Sequence, residues 1–116
     1  MQPEIRKFLY DIRLACDALL TFAQDKTLED YRADLLLRSG VERQLEIIGE
    51  ALNQAHKVDP DIANMIKNFR EIINLRNLII HGYSDIEDDT VWGIFQKDVP
   101  ELHKQVSNLL AEAAGQ

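Results

Sequence analysis

The 116-residue chain has a single cysteine, Cys16. No internal disulfide framework is possible, and a reducing compartment, the cytoplasm, is the expected setting. No apolar run approaches the roughly 20 residues that cross a bilayer, and the first residues lack the basic-then-apolar order of a secretory signal, so no membrane role is expected. The three histidines, His56, His81 and His103, stand too far apart for a helical ligand pair. With one cysteine beside them, no metal site is expected. A glycine-rich phosphate loop, internal repeats and low-complexity tracts are all missing, and no cofactor is expected. Basic residues are scarce as well: 13 Lys and Arg face 20 Asp and Glu, a formal charge of −7. That balance excludes a general nucleic-acid coat and a polybasic membrane sensor, leaving room only for a local basic patch. At 46% hydrophobic and 28% charged, the chain has enough apolar material for one core, and it reads as one domain spanning 1–116.

What is present is helical periodicity from end to end. After Pro3, a good first-turn residue, Ile5, Phe8, Leu9, Ile12, Ala15, Cys16, Leu19, Phe22 and Ala23 recur on one helix face. Thr27 with Asp30 three residues later resembles a capping box. A long second helix is predicted over 29–56, with Leu37, Val41, Leu45, Ile48, Leu52 and Ala55 as its seam. Gly40 and Gly49 weaken it by about 1 kcal/mol each relative to alanine, which suggests close approach of a neighbouring backbone. Asp59-Pro60 starts a further helix, bent near 64–68 before the strong segment 69–81, and Gly82 ends it. The acidic run 85–90 caps a last helix that bends or restarts at Pro100, continues through Leu102, Val106, Leu109 and Leu110, and frays over 113–116. No segment alternates as a strand. The predicted fold is an all-α antiparallel bundle of four principal helices, plus a short one near Pro60.

One residue conflicts with this pattern. On a wheel of about 100° per residue, Phe69, Ile72, Ile73, Ile79 and Ile80 all fall within about 60° of Arg76. A guanidinium cannot neutralise itself, and burying it unpaired costs several kcal/mol. Arg76 therefore needs an acidic partner, with Glu46 or Glu50 the obvious choices, an anionic ligand, or an opening in the bundle. Asn77 and His81, four apart, share a face about 100–140° round from it, and Tyr83 follows. A fixed cation, an amide, an imidazole and a phenol within eight residues suit RNA cleavage through the substrate's own 2′-hydroxyl. That reaction needs a base, an acid and positive charge on the pentavalent phosphorus. Histidine can carry the proton near neutral pH, and arginine's fork matches two phosphate oxygens. One histidine supplies half of an acid–base pair, and a two-fold homodimer would bring the second.

These residues resemble a known family. Arg76-Asn77-Leu78-Ile79-Ile80-His81-Gly82-Tyr83 is similar to the Arg-x4-His-x-Tyr motif of HepT-like toxins, members of the HEPN superfamily. Val41-Glu42-Arg43-Gln44-Leu45-Glu46-Ile47-Ile48-Gly49-Glu50-Ala51 looks like that family's R-x-L-x-x-I-G-E-A helix, and Val91-Trp92 through Leu102 resembles its closing helix. The resemblance implies a HEPN-like bundle of four to five helices acting as a homodimeric, metal-independent ribonuclease toxin. It also implies an antitoxin partner, a small MNT-type nucleotidyltransferase. By motif position, Arg76 and His81 are then catalytic, Asn77 supports them, and Tyr83 is the hydroxyl that the antitoxin modifies with AMP.

Other residues have plainer readings. Arg43 and Glu50 either orient Arg76 or form ordinary helix-surface pairs. Trp92 reads as core or interface, near Phe95 and Val91, and His56 and His103 read as surface residues without a role. Lys67, Arg70 and Arg76 against Glu71 suggest a positive groove within an acidic shell. The rival reading is a non-catalytic helical partner of a nucleotidyltransferase, in which Arg76 holds the phosphate of a nucleotide.

Overall fold

The computed structural model describes residues 1–81 and 88–115, with His81 described by its backbone alone. The expected helix stop at Gly82, the Tyr83 phenol and residues 85–87 of the acidic run lie outside the described residues. So does Gln116. Among the described residues six helices follow in order: α1 (Pro3–Phe22), α2 (Leu28–Ala33), α3 (Leu35–Val58), α4 (Ile62–Met65), α5 (Phe69–His81) and α6 (Asp88–Ala114). Four of them are long and two are short, and no strand occurs among the described residues. The all-α bundle is thus as predicted.

The second predicted helix is two. The Thr27 side chain accepts from the Asp30 amide while the Asp30 carboxylate accepts from the Thr27 amide, so the anticipated capping box opens α2. At Asp34 the backbone turns extended, and its carboxylate accepts from the amides of Leu36 and Leu37, starting α3 afresh. An aspartate that can satisfy two orphan amides at once makes a break inexpensive. The break lets α2 lay Tyr31, fully buried, beneath α6.

The seam of α3 is as read from periodicity: Leu37, Val41, Leu45, Ile48, Leu52 and Ala55 are all buried. They meet Ile5, Leu9, Ile12, Cys16 and Leu19 of α1, and α5 and α6 close the core. Each such aliphatic side chain contributes about 1.5–3 kcal/mol by leaving water. The bend expected at 64–68 is a true interruption, with α4 ending at Met65 and α5 beginning at Phe69. Asn68 pins it: its buried amide donates to the backbone carbonyl and carboxylate of Asp98 on α6, and Gln105 donates back to its carbonyl.

Two expectations for α6 are corrected. It does not restart at Pro100 but continues across it, since packing of Val99 and Leu102 outweighs one missing N–H donor. Its last turn does not fray at Ala113, which is buried. Trp92 is core, stacked on Phe95 and tilted against Tyr31, with ring centroids 5.3 and 5.2 Å away. His56 lies against the Phe69 ring at 5.5 Å, and His103 meets the Asp17 carboxylate at 2.7 Å. Neither is an idle surface residue.

Candidate active site

Helices α1, α3 and α5 enclose a groove of about 530 Å³. Its walls are apolar at Phe8, Leu14, Ile47 and Ile80, and charged at Asp11, Arg43, Glu46, Glu50 and Arg76. Arg76 reaches it for a reason the helical wheel only approximated. The buried residues of α5 are Phe69, Ile72 and Leu75, so the core-facing line runs nearer Ile72 than Arg76. Leu75 was not on the predicted arc, and Ile80, which was, is 46% exposed. Arg76 sits at the edge of the core, with its stem inside and its head at the groove.

The Arg76 side chain is 22% exposed, and one terminal nitrogen donates to Glu50 Oε2 on α3 at 2.7 Å. The other donates to Asn77 Oδ1 at 3.3 Å. Glu50 itself is 51% exposed, and its second oxygen accepts from Gln54 at 2.8 Å. Arg76 Nε is buried with no hydrogen-bond partner among the described residues. A saturated structural ion pair would not leave that donor unmet, since an unsatisfied buried group costs about 1–3 kcal/mol. Two terminal nitrogens with protons to spare remain at an open groove.

Of the two acidic candidates, Glu50 meets Arg76. Glu46 instead pairs with Arg43, one turn away on the same helix, at 3.4 Å. Arg43 thus lines the same groove without reaching Arg76. Gln54, which locks Glu50 from behind, was missed in the sequence, although its spacing of four residues from Glu50 is the signal for such a contact. Asn77 follows Arg76 directly. His81 is the last residue of α5, five positions beyond Arg76, which is about 7.5 Å of rise. Tyr83 lies outside the described residues.

The expected positive groove is not what these residues make. Among the described residues, three carboxylates and two guanidiniums line it, whereas Lys67 and Arg70 are exposed and do not belong to its lining. Among the described residues of its lining, positive charge is carried by Arg76 and Arg43, and each is already shared with a carboxylate.

Residues 12–109 match the family model described as Ribonuclease HepT-like. This chain belongs to the HepT-like ribonuclease family. The HepT-like chain is 32% identical over 105 residues to a protein of Methanocaldococcus jannaschii named "Putative RNase", covering 89% of this chain and 94% of that one. A "Putative RNase" of Caldanaerobacter subterraneus subsp. tengcongensis is 31% identical over 105 residues, or 90% and 93% of the two chains. A "Probable ribonuclease HepT" of Thermococcus cleftensis is 28% identical over 113 residues, or 94% and 98%. No solved structure matches the HepT-like chain.

Proposed function

We propose that this protein is a metal-independent endoribonuclease that cleaves RNA by transesterification in the groove between α1, α3 and α5. The 2′-oxygen attacks the adjacent phosphorus and the 5′-oxygen leaves, giving a 2′,3′-cyclic phosphate and a 5′-hydroxyl. In this reading the Arg76 terminal nitrogens bind the non-bridging oxygens as charge builds on phosphorus. His81 carries the proton from the 2′-oxygen or to the 5′-oxygen, a role suited to an imidazole at neutral pH. Asn77 holds one edge of Arg76 and Glu50 the other; Arg43 supplies a second cation on the groove wall.

The observation that carries the reading is Arg76 itself: a guanidinium whose two terminal nitrogens, each with one recorded bond, face an open groove in a chain of the HepT-like family. The wider reading is that of a cytoplasmic, single-domain toxin. It works as a homodimer that brings two His81 residues to one site, with Leu14 and Ile80 beside the groove as apolar contact surface. An MNT-type nucleotidyltransferase neutralises it by placing AMP on Tyr83.

Incubation of the purified protein with mixed RNA in the presence of chelator tests the activity. Cyclic-phosphate ends, lost in His81→Ala and Arg76→Ala, are the expected result. Intact RNA at high protein concentration would point instead to the non-catalytic nucleotidyltransferase partner. Light scattering reads the dimer, and mass spectrometry of Tyr83 after exposure to the transferase and ATP reads the modification.

A further inference from the structure

Gly49 lies buried in the middle of α3, one residue before Glu50. A Cβ placed on it would stand 2.4 Å from both Cβ and Cγ of Arg76 and 3.0 Å from its Cδ. Non-bonded carbons settle at about 3.5–4.0 Å, so this overlap is severe. The colliding Cβ is carried directly by the α5 backbone, and no side-chain rotation relieves it. The chain's other helical glycines differ. Gly40 would meet only the Phe22 ring at 3.4 Å, and Gly93 on α6 has nothing within 4 Å.

We infer that Gly49 is a positioning residue for Arg76. The missing side chain leaves a notch in α3, and the aliphatic stem of Arg76 crosses α3 through it. That crossing buries Nε and delivers only the two terminal nitrogens to the groove, with Glu50, the next residue of α3, in place to take one of them. Notch and acceptor are consecutive residues, so the seat for the stem and the hold on the head share one stretch of backbone. Alanine is the better helix former and would strengthen α3 if the space allowed it. Glycine at this position is explained by the crossing, and Arg76 cannot occupy its present place without it.

The notch stands on geometry alone, whereas its effect on cleavage rests on the ribonuclease reading. The two are tested separately on the full chain. In a thermal-melt cycle, Gly49→Ala lowers Tm by roughly 5 °C or more, against the helix preference. Combining it with Arg76→Gly, which removes the colliding carbon from the other side, restores Tm above the sum of the single changes. This double variant also keeps the test open if Gly49→Ala alone does not fold. A Gly49→Ala melt equal to or above wild type, or strictly additive changes, would overturn the notch.

Where wild type cleaves RNA, kcat of folded Gly49→Ala falls about 10²-fold while KM shifts only severalfold. The same substitution costs nothing further in an Arg76→Gly background, and Gly93→Ala leaves both constants unchanged. An unaltered kcat in Gly49→Ala, or an equal loss in both backgrounds, would overturn the positioning role. No cleavage by wild type would end the ribonuclease reading and leave the melt cycle to judge the notch.

Discussion

Arg38 and Arg76 both extend from a helix to a carboxylate on another, and their side chains are about equally covered, 28% and 22% exposed. Arg38 gives both arms of its fork to Asp88 on α6, and its plane lies 4.9 Å over the Tyr31 ring. Tyr31 in turn donates to Glu42 and packs at a tilt against Trp92, which stacks on Phe95. In that region the two arms of Arg38, the Asp88 carboxylate and the Tyr31 hydroxyl are all engaged. Arg76 gives one arm to a half-exposed glutamate and another to its own neighbour, and its Nε meets no partner among the described residues. Burial alone does not separate a structural arginine from one available to a ligand. What separates the two is the open groove beside Arg76 and a buried Nε without a partner among the described residues.

If the aromatic end is scaffold and the groove is chemistry, they should break independently. The largest stability effect is expected for Trp92→Ala, about 3–5 kcal/mol from a core position. Urea unfolding measures it, and RNA cleavage per folded molecule should hold. A loss of cleavage beyond the unfolded fraction would show that the two regions are coupled.

Arg76→Ala should reverse that pattern. Loss of the main cation costs about 10²-fold in kcat, close to 3 kcal/mol of transition-state stabilisation, with little change in Tm. Single-turnover cleavage gives the value. Arg38→Ala, at the aromatic end, should cost about 1–2 kcal/mol of stability, the pair being partly screened by solvent, with kcat unmoved. An Arg38 variant as inactive as Arg76→Ala would erase the distinction between the two arginines.

Smaller still is Glu50→Gln. It keeps an acceptor for Arg76 but removes a negative charge that competes with phosphate. A fall of roughly threefold in KM for RNA, with kcat within a factor of a few, is the expected outcome. The smallest effect is in pH. Burial first, with Asp17 nearby second, pushes the Cys16 thiol from 9.0 up to about 12. Burial, then Glu42, raises the Tyr31 phenol above its ordinary 10.0. Both groups are held protonated in the fold, so their contributions are complete below about pH 9 and drain away as pH rises toward 12. The urea midpoint should therefore fall over that range, and less steeply in Cys16→Ala.

The sequence carried unequal amounts of this. The six-residue seam of α3 and the Thr27–Asp30 cap were legible because periodicity and capping are local. The break at Asp34 was not. An aspartate within a helical pattern does not announce that it will bond two amides ahead, and only burial of Tyr31 favours the break. Pro100 misled in the opposite direction, because core packing on both sides of it holds α6 together. The site divides in the same way. The five-residue interval from Arg76 to His81 is written in one helix, and an arginine among isoleucines flags itself.

By itself, then, the sequence determined an all-helical chain, the core-facing residues of its long helices, and a cation and an imidazole at set spacing on α5. Each depends on the rise and turn of a single helix. The tertiary structure alone decided that Arg76 meets Glu50 while Glu46 goes to Arg43, that Gly49 makes room for the crossing stem, and that the groove is charge-mixed instead of basic. Those outcomes depend on where α3 and α5 cross, and a shift of an ångström or two in that crossing changes which side chains touch.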